Sequence, residues 1–585
     1  MKGRRLWLWA AAMFACTLLA PSLGRTDALD TLSQDKNQWV MPSQNYSNHR
    51  YSKLDEINTE NVKNLKVAWT MSTGALRGHE GQPLVVGDTM YFQSAYPNHV
   101  YAVDLSDYHI KWQYTPRQDE FAVAVACCDL VNRGVGYANG KIIEDALDGQ
   151  VIALDAQTGK VLWKAKNADP KLGQTLTSAP LIVHNKVIVG VSGGEFGVRG
   201  YLTAYDLNTG KRVWRAYSMG PDSDVLIGSS FHGPRNAGTS TWRGEDWKLG
   251  GGTTWGWYSY DPNLNLLYYG TGNPGTWNPS QRPGDNKWSM TIFARNPDTG
   301  QAVWGYQMTP HDAWDYDGVN EMILASLNVT PTDPVPALVH FDRNGYAYEL
   351  DRRTGKVLLA KPFDPSVNWA KGIDKNGRPI VDPSKETKAG VNVKNICPAA
   401  MGNKDEQPAS YDEQTGMFIV PTNHNCMDYQ AFAVKYKAGF PYVGAIVLMY
   451  PGPGNYRGAV IAWDPVKGEI AWSDHERFPA WSGVLTTAGG LAFYGTMDGW
   501  LKAVDAKDGK LMWKFHVPSG IIGNPMTYMH DGKQYVAVLT GVGGWAALGL
   551  AAGLTEPTAG LGAVNAAQDL KNYTSLGGTL MVFSL

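Results

Sequence analysis

One short pattern recurs, with single-residue variations, along the whole chain: an apolar residue, then Asp, two or three further residues, Gly, and Trp four positions later. The copies are AVDLSDYHIKW, ALDAQTGKVLW, AYDLNTGKRVW, ARNPDTGQAVW, ELDRRTGKVLL, AWDPVKGEIAW and AVDAKDGKLMW. They place Trp at positions 112, 163, 214, 304, 472 and 513, with Leu359 in its place in the fifth copy. A chain built from so many related units is constrained to a repeat architecture.

Each copy predicts a β-hairpin, because a tight Thr-Gly or Asp-Gly turn joins two strand-like runs. Trp112, Trp163 and Trp214 are 51 residues apart, which suits one four-stranded blade per copy. The intervals of 90 and 113 residues, from Trp214 to Trp304 and from Leu359 to Trp472, can each hold more than one blade or a long insertion. We therefore predict an all-β, eight-bladed β-propeller in which the repeated Trp docks between neighbouring blades.

The N-terminal residues differ in composition from the rest of the chain. Residues 1–28 begin with Met1-Lys2-Gly3-Arg4-Arg5 and continue with an apolar run to Ala20, which predicts a secretory signal peptide cleaved between Gly24 and Ala28. No later run reaches the roughly 18 apolar residues of a membrane span. With a net charge of −2 and no basic run, nucleic acid is not expected as a partner. Residues 29–585 show no composition break and are predicted to form a single domain.

Four cysteines remain if Cys16 is removed with the signal, and an exported chain favours disulfides. They allow three pairings of Cys127, Cys128, Cys397 and Cys426. A bond between the adjacent Cys127 and Cys128 would close a strained ring of the kind tolerated at functional sites, and the alternative is that each bridges elsewhere. The chain has no C-x-x-C-H motif, so no c-type haem is expected on it.

A hard-cation site is indicated by Asp315 and Asp317, two residues apart, together with Asn273 and the turn Ser192-Gly193-Gly194-Glu195. Carboxylate and amide oxygens are the ligands that such cations prefer. The alternative is that both Asp residues are ordinary turn carboxylates before Gly. A calcium-loop pattern fails because position 313 is Ala. Gly270-Thr271-Gly272-Asn273-Pro274-Gly275 matches a nucleotide fingerprint only formally, since no βαβ unit surrounds it.

Ten segments spread along the chain jointly resemble the periplasmic methanol dehydrogenases that carry pyrroloquinoline quinone (PQQ). They are GHEGQPLVVG, AVACCDLVNRG, LTSAPLIV, SGGEFGVRG, GGGTTWGWYSYDP, GTGNPGTWNPSQRPGDNKWSMTIFARNPDTG, TPHDAWDYDGVNEMIL, HFDRNGYAY, CPAAMG and GVGGW. The resemblance implies a quinone on the propeller axis, between a Cys127–Cys128 disulfide and the indole of Trp255. Arg133 and Arg343 are then expected to bind its carboxylates. The other cofactor-binding residues implied are Glu80, Thr177, Ser192, Gly193, Gly194, Thr253, Asp405 and Trp545.

The same resemblance implies the cation ligands Glu195, Asn273 and Asp315 and a second disulfide, Cys397–Cys426. Asp317 is informative because calcium-type members carry Ala there, whereas lanthanide-dependent members carry Asp. A trivalent ion calls for more negative ligands, so we expect a light lanthanide (La, Ce, Pr or Nd), with Ca²⁺ as the alternative. Asp405 departs from the Asn of the calcium type, which leaves its contact with the quinone open.

The expected reaction is oxidation of methanol and other short primary alcohols to aldehyde. The cation polarises a quinone carbonyl, Asp315 takes the proton of the alcohol, and electrons pass to a soluble cytochrome c. The resemblance also implies a periplasmic homodimer. Two rival hypotheses are a calcium-dependent quinoprotein alcohol dehydrogenase for larger alcohols and a non-catalytic periplasmic propeller scaffold.

Overall fold

The computed structural model describes residues 28–328 and 334–585. The predicted signal peptide therefore lies outside the described residues, apart from Ala28. The described part contains eight antiparallel sheets with a four-stranded core, two of which gain a fifth, parallel strand from outside the repeat. We call these sheets blades 1 to 8, in chain order.

The strands of the first four blades follow one another along the chain. Blade 1 comprises Leu84–Val86, Thr89–Gln93, Val100–Asp104 and Ile110–Tyr114; blade 2 comprises Gly136–Ala138, Lys141–Asp145, Gln150–Asp155 and Val161–Lys166; blade 3 comprises Leu181–Val183, Lys186–Val189, Tyr201–Asp206 and Arg212–Tyr217; blade 4 comprises Ser259–Asp261, Leu266–Gly270, Thr291–Arg295 and Ala302–Gln307, with Ile227–His232 added in parallel.

The last blade closes the ring by joining the two ends of the chain. Blade 5 comprises Ile323–Leu327, Val335–Phe341, Tyr346–Asp351 and Lys356–Pro362; blade 6 comprises Ser410–Asp412, Met417–Asn423, Gly458–Asp464 and Glu469–Glu476; blade 7 comprises Val484–Thr487, Leu491–Gly495, Trp500–Asp505 and Leu511–His516, with Tyr51–Ser52 added in parallel; blade 8 comprises Met526–His530, Lys533–Thr540, Thr579–Ser584 and the early strand Lys66–Ser72. Lys66–Ser72 pairs with Thr579–Ser584, so strands from the beginning and the end of the chain share one sheet and hold the ring closed.

Buried apolar residues fill the interfaces between successive blades. One cluster joins blades 7, 8, 1 and 2, a second joins blades 2, 3 and 4, and a third joins blades 4 and 5. Two smaller clusters join blades 5 and 6 and blades 6 and 7. The chain of contacts thus returns to its start, which confirms the predicted eight-bladed propeller.

The repeated Trp docks as predicted, onto the turn of the following blade. The indole N–H donates to a main-chain carbonyl there, from Trp112 to Ala156, Trp163 to Leu207, Trp214 to Pro297, Trp304 to Arg352 and Trp472 to Ala506. The ring covers the Gly of that turn so closely that a Cβ on Gly210 would overlap Trp163. Leu359 covers Gly468 in the same way, and Trp513 packs edge-on against Phe583 of blade 8.

Insertions account for the two long intervals between repeats. The first holds Ile227–His232, and the second holds the strands Ala370–Ile373, Pro379–Val381, Asn392–Ile396, Asn425–Ala431 and Ala445–Pro451. Helices are short: Ala28–Ser33, Phe121–Val125, Asp222–Val225, Ala237–Ser240, Leu548–Ala551 and Ala563–Ala566, with 3₁₀ turns at Val62–Asn64, Pro170–Leu172, Gly194–Phe196, Asp246–Leu249, Pro279–Gln281, Trp545–Ala547 and Leu570–Asn572. Among the described residues, no helix has the length and apolarity needed to cross a bilayer.

Candidate active site at the propeller axis

A cavity lies where loops from all around the ring meet. Its walls include most of the residues predicted for the site: Glu80, Cys127, Cys128, Arg133, Thr177, Ser192, Gly193, Glu195, Trp255, Asp315, Asp317, Arg343, Asp405 and Trp545. These residues come from inner loops of blade after blade, so only the axis of the ring can bring them together. The structure therefore collects in one place residues that are up to several hundred positions apart in sequence.

Two flat surfaces face the cavity. Cys127 and Cys128 are joined by a disulfide, and the helix Phe121–Val125 leads directly into this pair. The indole of Trp255 forms another wall, with the guanidinium of Arg133 4.9 Å from its ring centre and that of Arg343 5.6 Å away. A planar ligand with an anionic rim fits such a site, since flat apolar faces contact its ring and cations contact its edge.

Arg133 lies between two carboxylates at one side of the cavity. Its Nη2 is 2.7 Å from Glu80 Oε2, and its Nε is 3.3 Å from Glu406 Oε2. Its Nη1 donates to the hydroxyl of Thr177 at 2.9 Å, and that hydroxyl is 3.0 Å from the hydroxyl of Ser192. The predicted donors at this edge thus form one hydrogen-bonded group around Arg133.

Arg343 organises the opposite side. Its Nη2 donates to both carboxylate oxygens of Asp405 at 2.9 Å, and its Nε donates to Asp405 Oδ1 at 3.0 Å. Its Nη1 lies 3.2 Å from Asp315 Oδ2 and 3.3 Å from Asp317 Oδ2. The carboxylate of Asp405, which stands where the calcium type has Asn, is therefore bound by Arg343.

Local backbone geometry aims the acidic side chains at the cavity. Asp315 adopts a left-handed conformation with φ of 69°, which is uncommon for a residue with a side chain. The Asp312 carboxylate holds this turn by accepting the N–H groups of Trp314, Asp315 and Tyr316. In the neighbouring Gly-rich turn, a Cβ on Gly193 would overlap the carbonyl of Gly173, so only Gly fits there.

Glu195, Asn273, Asp315 and Asp317 fit a hard cation chemically. Asp315 Oδ1 has no hydrogen-bond partner among the described residues, and the Asn273 N–H donates to Asp317. Asn273, Gly194 and Thr253 do not line the cavity itself, but a Cβ on Gly194 would lie 3.2 Å from Asn273 Oδ1 and 3.5 Å from Thr253 Oγ1. Within the described ranges, no three acidic, His or Cys side chains already close around a point; Arg343 lies among these carboxylates instead.

Burial disfavours the charged forms of the acidic residues in this cavity when no cation is bound. It raises the pKa of Asp317 to about 7, raises that of Asp315 well above its usual value and also raises that of Glu195, although Arg343 opposes each shift. Burial likewise raises the pKa of Glu80 to about 7, and Arg133 opposes that shift. A bound cation favours the charged form of a carboxylate, so the donor set and its protonation both suit a highly charged ion.

Several residues that line the cavity were not predicted from the sequence. They are Val125, Ala126, Asp129, Val131, Thr175, Trp277, Glu406, Trp481 and Leu561. Trp277 lies in a segment that carried the resemblance, and Glu406 directly follows Asp405, so both signals were present in the sequence. Trp481 and Leu561 belong to neither the repeat nor a matched segment, and only the fold brings them to the axis. Cys397 and Cys426 form a disulfide outside the cavity.

Comparison with known proteins agrees with this geometry. Residues 39–361 and 474–536 match the family model described as "PQQ: Glucose/ethanol/alcohol dehydrogenase, beta-propeller domain". The chain is 62% identical over 577 residues to the lanthanide-dependent methanol dehydrogenase of Methylacidiphilum fumariolicum (strain SolV), covering 96% of this chain and 94% of that protein. It is 51% identical over 598 residues to methanol dehydrogenase [cytochrome c] subunit 1 of Methylorubrum extorquens, covering 98% and 96% of the two chains.

A solved structure gives the same result in three dimensions. The structure titled "Europium-containing methanol dehydrogenase" superposes with a TM-score of 0.94 at 61% sequence identity, covering 96% of this chain and all of that one. Family model, sequence relatives and solved structure thus all agree with the resemblance found in the sequence. The chain belongs to the PQQ-containing β-propeller family of glucose, ethanol and alcohol dehydrogenases, within which these relatives are methanol dehydrogenases.

Proposed function

We propose that this protein oxidises methanol and other short primary alcohols to aldehydes, using PQQ and a lanthanide ion, and passes the electrons to a cytochrome c. The observation that carries the proposal is the convergence, in one buried cavity, of the Cys127–Cys128 disulfide, Trp255, Arg343 and the pair Asp315 and Asp317. A scaffold that only binds other proteins has no need for this combination of residues.

The chain would hold PQQ by its faces and by its rim. The Cys127–Cys128 disulfide and Trp255 provide the two flat surfaces, while Arg133 and Arg343 provide fixed donors for carboxylates. Thr177 and Ser192 add hydroxyl groups beside Arg133. When bound, the quinone would supply an electrophilic carbonyl for hydride transfer, and the cation would supply Lewis acidity.

Glu195, Asn273, Asp315 and Asp317 would hold the cation. Three carboxylates and an amide oxygen give a strongly negative set of hard ligands. Asp317 favours a trivalent ion over Ca²⁺, because each added negative ligand stabilises the higher charge more. A trivalent ion is also supported by the similarity to proteins named as lanthanide-dependent or europium-containing methanol dehydrogenases.

Asp315 is the proposed base for the alcohol hydroxyl. One of its oxygens, Oδ2, is held by Arg343 at 3.2 Å, while Oδ1 has no hydrogen-bond partner among the described residues. The first contact orients the carboxylate, and the second oxygen is left to accept a proton. Trp277 and Trp545, whose ring centres are 6.4 Å apart, help to keep water from this part of the cavity.

The setting of the enzyme follows the same resemblance. We propose that residues 1–28 are a signal peptide, that residues 29–585 form one periplasmic domain, and that two copies form a homodimer. The electron acceptor is a separate cytochrome c, since the chain has no C-x-x-C-H motif of its own. Size-exclusion chromatography with light scattering tests the dimer, and N-terminal sequencing of the exported protein tests the cleavage position.

The decisive experiment combines metal analysis, PQQ content and activity. Protein produced with PQQ and lanthanum should contain both and should oxidise methanol in a dye-linked assay. The Asp315→Ala variant should keep its fold and PQQ content but lose turnover, because it lacks the proton acceptor. Normal activity in that variant would refute the role of Asp315, and wild-type protein without a bound quinone would refute the proposed function.

A further inference from the structure

A segment before the first blade contacts several blades in turn. Tyr46 donates its hydroxyl to the carbonyl of Ile182, in the first strand of blade 3, at 2.7 Å. Asn48 donates to the carbonyls of Tyr258 and Met322, beside blades 4 and 5, both at 3.2 Å. The segment thus contacts the first strand of blade 3 and the residues directly before the first strands of blades 4 and 5. The next residues in this segment carry it on towards blades 7, 8 and 1.

Arg50 ends this series of contacts with a fully buried guanidinium. Its Nε donates to the carbonyl of Val484 at 2.9 Å and its Nη2 donates to that of Pro525 at 2.6 Å. Its Nη1 donates to the carbonyl of Pro42 at 3.1 Å and to Gln82 Oε1 at 3.4 Å. All four acceptors are neutral. Burial lowers the pKa of Arg50 to about 9, so it stays protonated at neutral pH.

A buried cation with only neutral acceptors costs free energy. One of the acceptors of Arg50, Gln82, links it to residues of the cavity. Gln82 Oε1 accepts from Arg50 and, at 3.0 Å, from Asn524 Nδ2. Because both donors point at the amide oxygen, the amide nitrogen must face the other way. There it donates to the carbonyl of Arg133 at 3.3 Å, while Asn524 Nδ2 donates to the carbonyl of Glu80 at 2.8 Å.

These contacts connect Arg50 to both members of a cofactor-site ion pair. Glu80 and Arg133 line the cavity, with Glu80 Oε2 and Arg133 Nη2 2.7 Å apart. Their main-chain carbonyls accept from Asn524 and Gln82, and of these two amides Gln82 contacts Arg50 directly while Asn524 contacts it through Gln82. Gln82 and Asn524 are themselves fully buried, so water cannot replace a lost bond. We propose that Arg50 is a positioning residue: by fixing the side-chain amide of Gln82, which also binds Asn524, it holds the Glu80–Arg133 ion pair in place, so that Arg133 can bind the anionic rim of the quinone.

This inference rests on the proposed function, because it concerns retention of PQQ. The test follows release of PQQ from purified holoenzyme after dilution, measured by the loss of protein-bound quinone absorbance. The variants are Arg50→Met, which removes the guanidinium, and Gln82→Leu, which removes the amide but leaves Arg50 intact. Arg295→Met is the matched control, since Arg295 is also fully buried and donates to the carbonyls of Val225 and Gly300, outside the cavity.

We expect release at least about tenfold faster in Arg50→Met and Gln82→Leu, a change equivalent to about 1.4 kcal/mol, and within about twofold of wild type in Arg295→Met. A merely structural role predicts instead a lower melting temperature in Arg50→Met and Arg295→Met with unchanged release in both. Unchanged release in Gln82→Leu overturns the inference even if Arg50→Met fails to fold. Wild-type protein that never holds PQQ would refute the proposed function and not this contact.

Discussion

Replacing Asp317 by Asn should change which metal ion the protein prefers. Asp317 is buried, accepts the N–H of Asn273, and lies 3.3 Å from Arg343 Nη1. An amide has the same shape as the carboxylate and keeps an oxygen for the Asn273 N–H, so this substitution removes little except the negative charge. Asp317→Ala also leaves the Asn273 N–H without an acceptor, which costs about 1–3 kcal/mol more.

The size of the effect follows from the charge of the ion. Removing one partner of a buried charge pair costs about 3–5 kcal/mol. Coulomb energy is proportional to charge, so a loss of about 4 kcal/mol for a trivalent ion corresponds to about 2.7 kcal/mol for a divalent one. The difference, about 1.3 kcal/mol, is about a tenfold shift of preference from lanthanide towards calcium.

Chelator competition provides the assay. Metal-depleted wild type and Asp317→Asn are titrated with La³⁺ and Ca²⁺ in the presence of a chelator of known affinity, and the ratio of the two dissociation constants is compared. Asp317→Ala serves as the partner variant, because it should lose more affinity overall but show a similar shift in the ratio. An unchanged ratio in Asp317→Asn would show that this carboxylate does not select the ion, and would leave the calcium-dependent hypothesis standing.

Three further predictions concern stability. Trp163→Ala should lower the free energy of unfolding by about 3–5 kcal/mol in denaturant titrations, because the ring fills the contact with the next blade, whereas the exposed Val213→Ala should change it by less than about 0.5 kcal/mol. Burial lowers the pKa of His79 to about 4, so the unfolded chain takes up a proton first and this residue should contribute a loss of stability of about 3 kcal/mol as pH drops from 6.5 to 4; melting curves across that range should show this contribution as the difference in pH dependence between wild type and His79→Leu, and identical pH dependence would contradict it. Cys397→Ser opens a loop with a sequence separation of 29 from Cys426 and should cost about 2–4 kcal/mol; a melting temperature equal to that of wild type would contradict this.

The sequence predicts interactions between residues close together in the chain better than interactions between distant residues. The blades were predictable because a hairpin turn and the Trp that follows it act over about ten residues, and a repeated unit repeats its contacts. The two long intervals stayed ambiguous because an insertion and an extra blade have the same length. Between Leu359 and Trp472, the strands Asn425–Ala431 and Ala445–Pro451 pair with each other in a sheet outside the blades, so they belong to an insertion and not to an extra blade.

The residues of the site came mainly from the resemblance to a family, since spacing alone left Asp315 and Asp317 as possible turn carboxylates. By itself, the sequence determined the repeating blade and the residue types that suit a hard cation. Only the tertiary structure decided that Arg343 lies among the acids, that Asp405 turns towards it, and that Arg50 contacts Gln82. The physical reason is that each of these contacts joins segments that are far apart in the sequence, and they meet only when the blades form a ring that Lys66–Ser72 closes.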